Sequence, residues 1–234
     1  MPIMYTRSWP VLSAIVLATF VSLAGLAASQ ASPGRHPISG REYAWPMGVA
    51  GAPWLDRDER EAEEAPSRAL RILKVAPGAT VADVGAGSGY FTERLARLVG
   101  PAGRVYATDI QRGMLQLLDE RLARVGLTNV TLVLSEPDDP KLPAGELDLV
   151  LMVDVYHELG APQAVLRHLK RALKPAGRLV LIEYKGEDRS IPILPSHKMT
   201  VAQAKLEVEH EGFRLAAVDS SLPRQHVLTF APVQ

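Results

Sequence analysis

Residues 81–92, V-A-D-V-G-A-G-S-G-Y-F-T, join an apolar run, one acid and glycines at alternate positions, Gly85, Gly87 and Gly89. Glycine lets the backbone take positive φ and lets a ligand lie against it without a Cβ in the way. Tyr90–Leu98 follows with apolar residues at helical spacing, so the order is strand, tight turn, helix. Such a loop is a ligand seat at the carboxyl end of a strand. Its spacing is G-x-G-x-G, whereas the dinucleotide fingerprint G-x-G-x-x-G sets a pyrophosphate on the helix N-terminus. Asp83, two residues before Gly85, would repel a phosphate and suits a cationic amine. A second acid, Asp109, ends the short strand Arg104–Thr108 after one strand–helix–strand crossover. That crossover makes the two strands parallel and adjacent. Asp109 can then accept hydrogen bonds from ribose hydroxyls, or serve as a helix cap.

These stretches resemble the class I S-adenosylmethionine-dependent methyltransferases. D-V-G-A-G-S-G is similar to their motif I, D-x-G-x-G-x-G, which cradles the amino-acid end of the cofactor. The resemblance implies that Asp83, Gly85, Gly87, Gly89 and Tyr90 bind S-adenosylmethionine, with Asp109 and Ile110 at its ribose. It also implies an acid for the adenine amino group in the loop Ser135–Pro143, where Asp138 and Asp139 are both candidates; each also suits a solvated turn. D-V-Y-H-E-L after the apolar run Leu147–Val153 looks like the family's fourth motif, and K-P-A-G-R-L-V-L-I-E like the stretch leading into its fifth strand. The absence of N-P-P-Y argues against adenine or glutamine amino groups as acceptors. The implied fold is α/β: a doubly wound, Rossmann-like, mostly parallel seven-stranded sheet with a terminal antiparallel strand and helices on both faces. The resemblance covers about residues 54–234.

A sulfonium methyl donor is already activated, so the protein needs to align the reactants and exclude water. A base is needed only for a protonated nucleophile. His157 is the first candidate, with Asp154 as its orienter or a substrate ligand. Equally, His157 reads as a helix-terminal histidine bonded to backbone, and the polar cluster after the strand as a helix cap. His36, His168, His197, His210 and His226 show no metal-ligand spacing, so no metal site is expected. Ser88 lies in G-A-G-S-G, outside any G-x-S-x-G nucleophile elbow.

Composition narrows the choice of partner. The formal net charge of zero offers no field for nucleic acid, so a small-molecule substrate is expected. With no cysteine, disulfides, thiolate metal sites, a thiol nucleophile and iron–sulfur chemistry are excluded. Val11–Ala28 is uncharged and apolar, and Ser29-Gln30-Ala31 fits a small-residue cleavage site. Residues 1–31 therefore read as a signal peptide or an N-terminal membrane anchor with membrane contact. The domain would be exported or periplasmic, or membrane-anchored, and cytoplasmic if the anchor faces inward. Because S-adenosylmethionine is made in the cytosol, export leaves a second reading open, a non-catalytic cofactor-binding protein that keeps the fold. A nucleotide-dependent oxidoreductase is the third, and Asp83 and the glycine spacing speak against it.

The Pro- and Gly-rich residues 32–53 read as a linker. Tyr43, Trp45 and Trp54 in and beside it either pack on the domain or form a flap over a ligand. Asp56–Glu64 has the mixed charge of an exposed helix, and Pro66 opens another. Met114–Val125, Ala161–Leu173 and Val201–Glu211 are expected helices, the last capped by Thr200. Val130–Leu134, Leu147–Val153, Arg178–Tyr184, Phe213–Ser220 and His226–Phe230 are expected strands.

Overall fold

The structure is a computed structural model that describes residues 34–233. The proposed leader, residues 1–31, lies outside the described residues. Among the described residues no helix is long and apolar enough to cross a membrane.

A seven-stranded sheet runs in the order β3-β2-β1-β4-β5-β7-β6. Its strands are β1 (Thr80–Val84), β2 (Arg104–Asp109), β3 (Val130–Leu134), β4 (Leu147–Val153), β5 (Leu173–Tyr184), β6 (Phe213–Asp219) and β7 (Gln225–Pro232). All neighbours are parallel except at β7, which is antiparallel to both β5 and β6. β4 is apolar on both faces because it is central and covered on both. β5 starts earlier than the expected Arg178, with a register shift against β4 between Leu147 and Leu149.

The helices are α1 (Ala52–Leu55), α2 (Arg60–Glu64), α3 (Pro66–Leu73), α4 (Tyr90–Val99), α5 (Arg112–Val125), α6 (Pro162–Ala172) and α7 (Val201–His210). Local chemistry sets their ends. Pro66 and Pro162 open α3 and α6, where a missing N–H costs nothing. Gly126 closes α5 in the left-handed region. Thr200 and Gln203 form a reciprocal capping box on α7. The core lies in two main layers. Leu166, Leu169, Ala204 and Val208 of α6 and α7 pack with Val150, Met152 and Leu181. Ala69, Leu73, Phe91 and Leu95 of α3 and α4 pack with Val81, Leu149 and Val180.

Two expectations change. Residues 34–53 are no free linker, since they belong to one compact unit with the sheet. Arg41 reaches Glu207 on α7 through two bonds of 3.1 Å and donates to the His157 carbonyl at 2.9 Å. Tyr43 is buried, while Trp45 stays exposed. The charged run 56–64 is also not an exposed helix: only Arg60–Glu64 is helical, and Arg60 and Glu64 are both buried. They pair at 2.7 Å, Arg57 joins Glu64, and Tyr184 Oη donates to Glu64 at 2.6 Å. Mutual neutralisation lets these charges leave water, which a periodicity of apolar residues cannot reveal.

Asp83 sits at the carboxyl end of β1, accepting a 2.6 Å hydrogen bond from Thr92 on α4. Burial, against the opposing Thr92 bond, pushes its carboxyl up to about 6. The raised value means that the folded protein holds the proton more tightly than the unfolded chain. The ionised form therefore costs stability, fully above about pH 6 and not at all below pH 3.8. Asp83→Asn removes this titration. Its stability relative to wild type, from urea unfolding, should rise by about 3 kcal/mol between pH 4 and pH 7; a pH-independent difference would refute the assignment. Separately, Arg41→Met removes the guanidinium that neutralises buried Glu207, leaving it with Ser39 and His36, and should cost about 3 kcal/mol in the same assay.

Candidate active site

The strand order reverses between β1 and β4, and ligands of open α/β sheets bind at the carboxyl ends beside such a point. A cavity of about 430 Å³ lies there, within the usual range for small-molecule sites. Its walls are mostly apolar, with a few polar groups.

On the β1–β2–β3 side, parallel register aligns Val84 with Thr108, so the glycine loop and Asp109 meet. Gly85 and Ala86 donate their N–H groups to the Thr108 carbonyl at 2.8 and 2.9 Å, turning the loop across the end of β2. Gly85, Gly87 and Gly89 have φ of 72°, 55° and 88°. A Cβ on Gly85 would come within 2.5 Å of Val155, and one on Gly89 within 2.1 Å of Leu118. Asp109 accepts from the N–H of Gly87 at 3.0 Å and of Gln111 at 2.8 Å. These bonds hold its carboxylate at the cavity wall, while burial still raises its pKa above the ordinary value. Gly85, Gly87, Asp109 and Ile110 line the cavity.

The other cofactor-binding candidates are placed elsewhere. Asp83 lies off the cavity wall, committed to Thr92. Gly89 and Tyr90 begin α4 behind the loop, and the Tyr90 ring is stacked by Arg60 and Arg94. Asp138 is exposed, and Asp139 bonds the Lys141 N–H and sits 3.2 Å from His168. From that loop it is Ser135, Glu136, Pro137 and Pro140 that reach the cavity. A loop without periodicity gives no sign of which side chain turns inward.

On the β4–β5 side, Asp154 leaves β4 with φ of 54°, a left-handed conformation uncommon outside glycine. Its Oδ2 accepts from Gln225 at 2.7 Å, and its buried Oδ1 has no protein partner. Burial, then the charges of Glu64 and Glu183, hold this carboxyl well above the usual range. A 3₁₀ turn, Tyr156–Glu158, follows. His157 is not oriented by Asp154. Its Nδ1 lies 2.6 Å from Glu183 on β5, whose other oxygen accepts from the Tyr156 N–H at 2.9 Å. Burial alone would lower the His157 pKa, but the charge and hydrogen bond of Glu183 outweigh it and raise it. Its Nε2 faces His197 Nδ1 at 3.1 Å. Burial pushes Glu158 up to about 7, and burial with the neighbouring His157 lowers His197. Asp154, His157, Glu158 and His197 all line the cavity.

The motif D-V-Y-H-E-L already holds Asp154, His157 and Glu158, but sequence reasoning missed the bond between Glu183 and His157, and it missed His197 and Arg60 as cavity residues. His197 comes from a 3₁₀ turn 40 residues beyond His157, so no local spacing reports the pair. Residues of the N-terminal segment and α1, among them Met47, Trp54 and Leu55, close the remaining side. Gln111 Nε2 holds the Met47 carbonyl at 2.8 Å. Trp54 is thus nearer the flap reading, whereas buried Tyr43 fits packing.

The glycine cradle, the buried ribose-ready carboxylate and the cavity volume fit S-adenosylmethionine: Gly85 and Gly87 would face its amino-acid portion and Asp109 its ribose hydroxyls.

Residues 81–177 match the family described as "Methyltransferase domain". The ubiquinone/menaquinone biosynthesis C-methyltransferase of Pseudomonas fluorescens is 32% identical over 117 residues, 50% of this chain and 46% of that protein. The Pasteurella multocida protein of the same name is 34% identical over 111 residues, 47% of this chain and 41% of that protein. The match thus spans less than half the length of these curated relatives. A crystal structure of an S-adenosylmethionine-dependent methyltransferase from Aquifex aeolicus is 30% identical, with a TM-score of 0.75, covering 79% of this chain and 98% of that one. A TehB-like S-adenosylmethionine-dependent methyltransferase from Corynebacterium glutamicum, at 16% identity and a TM-score of 0.59, covers 79% of this chain and 97% of its own and shares the fold. With the motif order, sheet topology and cradle in place, the chain belongs to the class I S-adenosylmethionine-dependent methyltransferases, whose cofactor is S-adenosylmethionine.

Proposed function

We propose that this protein transfers the methyl group of S-adenosylmethionine to a small, largely apolar acceptor held on the β4–β5 side of the cavity. The observation that carries the reading is the division of one cavity between a glycine–Asp109 cradle and a His157–Glu158–His197 cluster. When bound, the cofactor supplies an activated methyl carbon on a sulfonium. Gly85 and Gly87 keep side chains out of its way, and Asp109 anchors it through hydrogen bonds. Met47, Trp54 and Leu55 put apolar side chains on the remaining wall, which would limit water around the reacting groups. His157, held by Glu183, stands on the acceptor side of the cavity, where it would help position a polar group of the acceptor.

Apolar walls and zero net charge support a neutral, apolar acceptor over a polyanion. The quinone-pathway C-methyltransferase relatives point the same way, toward an aromatic or quinol-like ring. The apolar run Val11–Ala28 supports an exported or membrane-anchored location, which would bring the cavity near lipid-soluble acceptors. Protease protection in cell fractions tests that part.

Calorimetric titration with S-adenosylhomocysteine should show binding in the micromolar range, about −8 kcal/mol. Asp109→Ala should weaken it by about 1–3 kcal/mol through lost ribose hydrogen bonds. An unchanged affinity would remove Asp109 from the cofactor site. Folded protein that binds the cofactor yet methylates no member of a panel of phenols and quinols would count against the acceptor class.

A further inference from the structure

We propose that His157, Glu158 and His197 bind a divalent transition-metal ion, of the zinc or iron(II) class, on the acceptor side of the cavity. The proposal rests on the cavity being the reaction chamber described above and deepens it. Three potential ligand atoms converge. His157 Nε2 and His197 Nδ1 are 3.1 Å apart, and Glu158 Oε1 lies 3.9 Å from the first and 3.7 Å from the second. All fall within 4.8 Å of one another. Nitrogen and oxygen ligands about 2.0–2.1 Å from a tetrahedral ion stand about 3.3 Å apart. The observed separations bracket that edge, and side-chain adjustments of a few tenths of an ångström close it.

The surroundings are those of a metal site. A ligating histidine usually gives its second ring nitrogen to a carboxylate, which fixes its tautomer and direction. Glu183 does this for His157 at 2.6 Å, and is itself held by the Tyr156 N–H at 2.9 Å. The His157 backbone is also tethered, its carbonyl accepting from Arg41 at 2.9 Å and from the Ala44 N–H at 3.1 Å. The cluster is thus pre-organised from two directions before any ion arrives. Two imidazoles and one carboxylate suit zinc or iron(II), whereas magnesium and calcium favour all-oxygen shells. Three protein ligands leave a position open, the mark of a catalytic rather than a structural site. All three side chains line the cavity, where an acceptor oxygen would serve as a further ligand.

The competing explanation is a plain hydrogen-bonded chain, Glu183–His157–His197, with no ion. Tag-free full-length protein, stripped with chelator, separates the two by titration with Zn²⁺, and with Co²⁺ followed by visible absorption. The proposal expects one Zn²⁺ per chain at micromolar affinity or tighter, and tetrahedral Co²⁺ bands. His197→Ala, on a partly exposed turn, should weaken Zn²⁺ at least 10-fold, and Glu183→Gln by about 10-fold or more. Absence of stoichiometric Zn²⁺ binding, or an affinity unmoved by His197→Ala, overturns the proposal. S-adenosylhomocysteine binding in the same samples keeps two failures apart. Cofactor binding without Zn²⁺ refutes the metal site alone, whereas a folded protein that binds no cofactor refutes the methyltransferase reading beneath it.

Discussion

The parallel register of β1 with β2 on one side and β4 on the other is the constraint from which the site follows. Val81 is level with Val105 and with Leu149, so three strands end at nearly the same height. Each strand end releases a loop with polar groups onto one edge, and the crossovers open a crevice where the order reverses. The glycine turn, Asp109 and Asp154 therefore share a cavity although they come from separate stretches of chain. No individual contact created this proximity; it is inherited from strand pairing in a core whose side chains are fully buried.

At that edge the protein concentrates charge in a place largely withdrawn from water. Glu64, Arg60, Asp154, Glu183 and His157 are packed beside the cavity. Buried charges survive only when paired or neutralised. Most here are: Arg60 with Glu64, Glu183 with His157, Tyr184 with Glu64. Asp154 is neutralised instead: burial and the charges of Glu64 and Glu183 favour its protonated form, while one of its oxygens lacks a protein partner and its backbone is in a left-handed turn. Strain and an unmatched acceptor together are features that folding stability alone would remove, and they tend to persist where function needs them.

The N-terminal segment completes the chamber. The buried Arg41–Glu207 pair and the bond from Arg41 to the His157 carbonyl join this segment to both α7 and the 3₁₀ turn after β4. One side chain, Arg41, therefore both ties the N-terminal segment to α7 and holds the backbone of His157. Gln111 adds a tie to Met47 from the Asp109 side.

Much of this was legible in the chain itself. Glycines whose φ had to be positive, Pro66 at a helix start, the Thr200 cap and the nearly all-apolar β4 are local signals with local causes, and the element order they spell specifies the topology. Asp109 could be placed because one crossover links it to the glycine loop. The pairing of His157 with Glu183 and His197, the burial of Arg60 and Glu64, the Arg41–Glu207 pair and the choice of Ser135 and Glu136 over Asp138 and Asp139 were not legible. These depend on which side chains a folded sheet brings within a few ångströms, across separations far longer than a helical turn. Sequence by itself determined the backbone's elements and their order, because those follow from short-range sterics and periodicity. Tertiary structure alone decided which polar groups lose water together and so which of them can act in concert.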